Sequence, residues 1–220
     1  MMFTDLDASK YEYNIIFFNK ELEEILEKII ACYSLMLADN VRLSNNENKI
    51  RDYILYKYLK VPSMKIKLDL ANYLFDPELP EDKGRIDIRV MPINPFIEDK
   101  AYFILECKRL DSINANGTTG LNAQYINEGM NRFISKKYSA YYRSNGMIGF
   151  IVNELDIHKN TQSINSLLIK DYKHITTSQV LTSKIIVKGF DYSYYSTHNS
   201  ATDTLTIYHL MFDFSKNIIN

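Results

Sequence analysis

The stretch AYFILECKRL, residues 101–110, decides how this chain is read. It opens as an apolar run suited to a buried strand and then ends in Glu106, Cys107, Lys108 and Arg109, three of them charged. Residues two apart in a strand share a face, so Glu106 and Lys108 project together while Phe103, Leu105 and Cys107 turn the other way into a core layer. The pattern Glu-x-Lys also occurs at Glu47–Lys49, Glu81–Lys83 and Glu98–Lys100, so the tripeptide alone says little. What sets the copy at 106 apart is its place at the end of an apolar strand.

Upstream, RIDIRV (residues 85–90) alternates with period two, putting Ile86, Ile88 and Val90 on one face and Arg85, Asp87 and Arg89 on the other. A hairpin of these two strands sets Asp87 beside Glu106. MPINPFIEDK (91–100), broken by Pro92 and Pro95, reads as the loop between them, and DPELPEDKG (76–84) as a polar link before them. From Tyr13 to about Leu37, Ile16, Leu22, Ile25, Leu26, Ile29, Ile30, Tyr33 and Leu37 recur at spacings of three and four, which predicts a long amphipathic helix. A second helix is predicted from about Asn46 to Leu59, with Ser44 or Asn45 as cap, Glu47 in the first turn and Pro62 after the end.

Downstream, DSINANGTTG (111–120) reads as a loop and LNAQYINEGMNRFISKKYS (121–139) as a helix. A strand at GMIGFIV (146–152), a helix near Gln162–Tyr172, and strands around SKIIVKGF (183–190) and DTLTIYHLMFDF (203–214) follow. No repeat or domain break interrupts this order. It predicts one α/β domain over residues 1–220, with a mixed central β-sheet flanked by helices, a long N-terminal helix and strands added at the C-terminal end.

Hydrophobic types make up 46% of the 220 residues and charged types 24%, the balance of one globular domain with a substantial core. The acidic N-terminus has no secretory pattern, and no apolar run approaches the roughly 18 to 20 residues that span a bilayer, so a soluble cytoplasmic protein without a membrane is expected. Cys32 and Cys107 have no Cys-x-x-Cys partner, which gives a disulfide framework or zinc site little support. A net charge of −1 argues against a protein that coats nucleic acid. Basic residues nevertheless cluster between Lys49 and Lys67, and again at Arg132, Lys136, Lys137 and Arg143, with no acid neighbouring the second group. Such clusters meet phosphates or form solvated helix faces.

The tyrosine groups SAYYRS and DYSYYSTH read as packing rather than base stacking, and His209 in IYHLMF as a satisfied strand histidine. A Walker loop, a dinucleotide fingerprint and a Gly-x-Ser-x-Gly elbow are absent from the sequence, so ATP hydrolysis, nicotinamide chemistry and the common serine hydrolase scheme lack their signals.

Two carboxylates held close repel, and the arrangement persists most readily with a cation between them. Asp87, Glu106 and Lys108 then supply two ligands for a hard divalent ion and an ammonium to orient water or stabilise developing charge. These residues resemble the PD-(D/E)xK superfamily of restriction-endonuclease-like nucleases: an acid in GRIDIRV, then ILECK on the following strand, with Ile86 where the family pattern has proline. The resemblance covers residues 42–152. It implies a restriction-endonuclease-like fold and a nuclease that hydrolyses phosphodiester bonds, usually in DNA, with Mg²⁺ or Mn²⁺. Asp87 and Glu106 would hold the metal with the Cys107 carbonyl, Lys108 would act on the water or transition state, and Glu47 in NENKIRDYI would be a further ligand or aid to placement. Gln124 and Tyr125, on the helix after the motif strand, would lie beside the site on the substrate side. The superfamily also holds inactive members, so a non-catalytic module binding nucleic acid or protein is the alternative. Either reading is compatible with a homodimer or a larger nucleic-acid-processing assembly.

Overall fold

The structure is a computed structural model and describes residues 14–81, 84–93, 101–135, 142–199 and 204–219. Helix α1 runs Asn14–Ala38, and its predicted apolar stripe is buried from Leu22 to Tyr33. After a two-residue strand β1 (Leu43–Ser44), helix α2 (Glu47–Ile54) starts at Asn46, not Ser44 or Asn45, because the Asn46 side chain accepts the Lys49 N–H at 3.1 Å. A π-helical turn, Leu55–Leu59, continues it. Pro62 then opens a short helix α3 (Pro62–Lys67), the position where its missing N–H costs nothing.

Seven strands form one mixed sheet: β2 (Tyr73–Glu81), β3 (Gly84–Pro92), β4 (Phe103–Leu110), β5 (Ser144–Ile151), β6 (Thr177–Ser183), β7 (Ser193–Asn199) and β8 (Thr204–Asp213), in the order β2-β3-β4-β5-β8-β7-β6. β4, β5 and β8 are mutually parallel in the centre, and antiparallel pairs flank them on both sides. A last strand β9 (Ile218–Ile219) pairs with β1. One face packs Leu26, Ile29, Ile50 and Ile54 of α1 and α2 against Phe103, Leu105, Cys107, Ile148 and Phe150. The other carries α4 (Leu121–Gln124), a π-helical turn Tyr125–Met130, α5 (Asn131–Ile134) and α6 (Ile157–Lys170), packed on Ile104, Leu110, Met147 and Met211. β4 and β5 are thus covered on both faces, which is why GMIGFIV is apolar without alternation.

Several sequence expectations are corrected. The polar link at 76–84 is mostly strand: β2 lies at the sheet edge, where prolines are tolerated. The helix expected over 121–139 is an α–π–α run ending at Ile134, and residues 136–139 lie outside the described residues, as does 94–100 of the expected loop. α6 begins at Ile157 rather than Gln162, capped by Asp156, whose carboxylate accepts the Lys159 N–H at 3.0 Å. The strand expected at 183–190 lies just before it, at Thr177–Ser183, and Gly189 with φ +89° turns the chain toward β7. Ile86 leaves the layer of Ile88 and Val90 and packs in the other one with Ile104. Among the described residues no helix is long and apolar enough to cross a membrane.

Candidate active site

The charged end of β4 meets β3 and the first turn of α2. Lys108 stands at the centre: its Nζ donates to Glu106 Oε1 at 2.9 Å, to Glu47 Oε1 at 3.1 Å and to the Cys107 carbonyl at 2.9 Å, and lies 3.9 Å from Asp87 Oδ2. Asp87 and Glu106 therefore converge from adjacent antiparallel strands, and Glu47 approaches from the helix. Glu47 is held there by its second oxygen, which accepts the Arg109 N–H at 2.9 Å and ties α2 to the end of β4. Gly129 of the π-helical turn lets that helix close over the site, since a Cβ there would sit 2.3 Å from Met147 Cε and 3.5 Å from Lys108 Cγ.

Two arginines that sequence reasoning left out complete the cluster. Arg51 of α2 is buried; its Nη1 donates to Asp87 Oδ1 at 3.0 Å, while Nε and Nη2 both reach Asp52 Oδ1. Arg132 of α5 donates from Nη1 to Glu106 Oε1 at 2.8 Å. Arg132 of the second basic group thus finds its acid far away in sequence, and the run from Lys49 to Lys67 is not a wholly solvated face, since Arg51 turns inward. The signal for Arg51 was present: it follows Glu47 by one helical turn and adjoins Ile50 on the inward stripe. Arg132 had no local signal, because its partner is 26 residues away.

Burial is the main force raising the Glu106 carboxyl to about 7, the Asp87 charge adds to it, and Lys108 and Arg132 pull in the opposite sense. Burial alone would lower the Lys108 ammonium, but Glu106, Asp87 and Glu47 together hold it well above its usual value, so it stays charged. Repulsion between the acids is therefore already compensated: Glu47, Asp87 and Glu106 face Lys108, Arg51 and Arg132.

Gln124 is exposed on α4. Tyr125 is fully buried with its hydroxyl 2.8 Å from His209 Nδ1, which corrects its place on the substrate side. His209 is a satisfied strand histidine, as its sequence setting implies, and Tyr142 and Tyr194 pack: the Tyr142 ring centroid lies 4.5 Å from that of Phe103, and Tyr194 is buried, while Tyr141 lies outside the described residues.

The donors that meet at Lys108 are all oxygens, three carboxylates and one carbonyl, the set a hard divalent cation takes. The ammonium stands at their meeting point, and among the described residues no group of three or more His, Cys, Asp and Glu is disposed to hold a metal ion as the side chains stand. The donor chemistry fits a cation once Lys108 turns aside. Compared with family models, curated proteins and solved structures, the chain gives no match.

Proposed function

We propose that this protein is a Mg²⁺- or Mn²⁺-dependent nuclease that hydrolyses phosphodiester bonds in nucleic acid, DNA above all, on a restriction-endonuclease-like fold. The observation that carries the proposal is the convergence of Glu47, Asp87, Glu106 and the Cys107 carbonyl on one point, from α2, β3 and β4, with Lys108 among them. Bound there, the cation would supply a more acidic water and neutralise phosphate charge. The chain would hold it through Asp87, Glu106 and the Cys107 carbonyl, with Glu47 alongside. Arg51 and the Cys107 N–H fix the Asp87 carboxylate in place, so it meets its ligand without reorganising. Lys108, released from the carboxylates, would hold the attacking water or face the charge developing on phosphate.

A second reading has its own observation. Every carboxylate of the cluster already has a cationic partner, which is the composition of a structural polar core as well as of a resting site. On that reading the domain is a non-catalytic binding module. Incubation of labelled single- and double-stranded DNA and RNA with Mg²⁺, Mn²⁺ or EDTA separates the two. Cleavage that needs metal and vanishes in both Glu106→Gln and Lys108→Ala supports the nuclease; cleavage unchanged in Glu106→Gln, or absent from wild type on every substrate, rejects it.

A further inference from the structure

The three cations of the cluster are not equivalent. The Arg51 side chain is 2% exposed and that of Lys108 7%, but the Arg132 side chain is 30% exposed. Arg132 is therefore the most solvent-exposed of the three cations. It bonds Glu106 Oε1, the same oxygen that Lys108 Nζ already holds at 2.9 Å. Glu106 is wholly buried and needs a cationic partner, yet it keeps one if the guanidinium departs. The fold thus fastens Arg51 and Lys108 and leaves Arg132 as the cation whose partner can be exchanged. A guanidinium presents a planar fork of donors that matches two oxygens of a phosphate as well as it matches a carboxylate. It stands on the short helix over the motif strand, and Lys136 and Lys137 follow it in the sequence.

We propose that Arg132 is the residue that takes up a phosphate of the nucleic acid, its guanidinium passing from Glu106 Oε1 to non-bridging phosphate oxygens as the strand docks. The assignment rests on the nuclease reading and adds to it the group that grips the substrate. In the resting protein Glu106 Oε1 holds Nη1 of the guanidinium; the polyanion takes its place, and Glu106 is left to Lys108 or to a cation. Binding of the strand and exposure of Glu106 to its ligand are then one event.

The test is fluorescence anisotropy with a labelled duplex DNA in Ca²⁺, over a series of salt concentrations, beside a cleavage assay in Mn²⁺ and a thermal melt of each protein. Arg132→Ala should bind about tenfold more weakly or worse, the loss expected for one charge-assisted hydrogen bond. Its plot of log affinity against log salt should be shallower by about one, the signature of one fewer phosphate neutralised by the protein. Arg132→Lys should keep the slope and lose part of the affinity, because a point charge replaces the fork. Should Arg132→Ala not fold, Arg132→Gln, which still donates to Glu106, carries the same comparison. An Arg132 variant that binds with wild-type affinity and slope, while wild type binds and cleaves, overturns this role and leaves the nuclease reading standing. A lowered melting temperature with an unchanged slope makes Arg132 structural. Wild type that neither binds nor cleaves removes both.

Discussion

The Asp87 carboxylate accepts the Cys107 N–H at 2.8 Å, so a side chain takes the bond that the ladder between β3 and β4 would otherwise make with a carbonyl. Pairing of these strands ends at Ile88 and Leu105, one step short of Asp87 and Glu106. From there β3 leaves β4, Ile86 passes into the opposite core layer, and a gap opens in which the acids face Lys108.

That relationship sets the outcome of Asp87→Asn. Two opposed carboxylates alone would make the substitution neutral or stabilising in the absence of metal. The buried Arg51 on Asp87 Oδ1 reverses the sign. An asparagine oxygen still accepts from Cys107, but the guanidinium loses its buried counter-charge and is left beside the more exposed Asp52. Asp87→Asn should therefore be less stable by about 3 kcal/mol in EDTA, in the range for a broken buried ion pair. Urea unfolding followed by circular dichroism measures it, and a midpoint equal to or above wild type refutes the pairing.

Lys108 competes with any cation for the same oxygens. In Lys108→Met the acids lose their central partner, so the metal-free protein should unfold earlier than wild type while responding more strongly to Mn²⁺. A ligand at about 100 times its Kd adds roughly 2.7 kcal/mol when it binds only the folded state. Mn²⁺ titrations followed by melting temperature should show the half-maximal shift at lower concentration in Lys108→Met. Identical midpoints in the two proteins would mean that the ammonium does not stand in the cation's place.

The parts legible in sequence are those fixed by local periodicity. Alternation places Glu106 and Lys108 on one face and Cys107 on the other, helical spacing gives α1, and the first turn of α2 gives Glu47. The rest depends on pairings between distant residues. Arg51 and Arg132 are charged by type and inward by position, and only the fold supplies Asp87 and Glu106 as partners. β2 hides behind Pro77 and Pro80 because an edge strand tolerates them, and β6 hides because its residues are mostly polar and only Leu181 is buried. Tyr125 is lost to the core where a helix-surface position was expected, since it stands one helical turn from the buried Asn122 and Gly129.

Metal affinity should rise with pH through neutrality. The Glu106 carboxyl stands at about 7, above the roughly 4.3 of a free glutamate. A group raised in the fold contributes stability fully below its unfolded value, and that contribution is lost as pH rises through the folded value. A cation competes with the proton on Glu106, so the apparent Kd for Mn²⁺ should fall as pH increases up to about 7 and level off above it. Calorimetric titrations below, at and above pH 7 report this, along with proton release near pH 7. A flat profile would exclude Glu106 as a ligand.

The acid limb of stability should belong to a different set of residues. On the face of the sheet that carries α4 and α6, the Tyr125 hydroxyl meets His209 Nδ1, His209 Nε2 meets Ser196 Oγ, and Ser196 Oγ meets His198 Nε2, each at 2.8 Å. Thr177 Oγ1 lies 3.2 Å from His198 Nδ1 at the sheet edge. The one Ser196 proton can go to only one imidazole, and the ring that accepts it must be neutral for the run to be satisfied. Burial lowers His198 to about 4, with a bond to the Ile175 backbone pulling it back, and lowers His209 well below its usual value, with His198 adding to the effect. Both folded values lie below the roughly 6.5 of an unfolded histidine. The unfolded chain therefore takes up protons that the fold refuses, and stability present above about 6.5 is lost as pH falls toward the folded values. For His198, from 6.5 to about 4, the loss is on the order of 3 kcal/mol. Between pH 4.5 and 6.5 Glu106 works in the opposite sense, so the two are separated by substitution. His198→Gln should flatten the acid limb of the unfolding midpoint against pH, and Glu106→Gln should steepen it. Imidazole resonances of His198 and His209 that stay neutral at pH 5 in the folded protein confirm the cause; protonation of either ring there, without unfolding, rejects it.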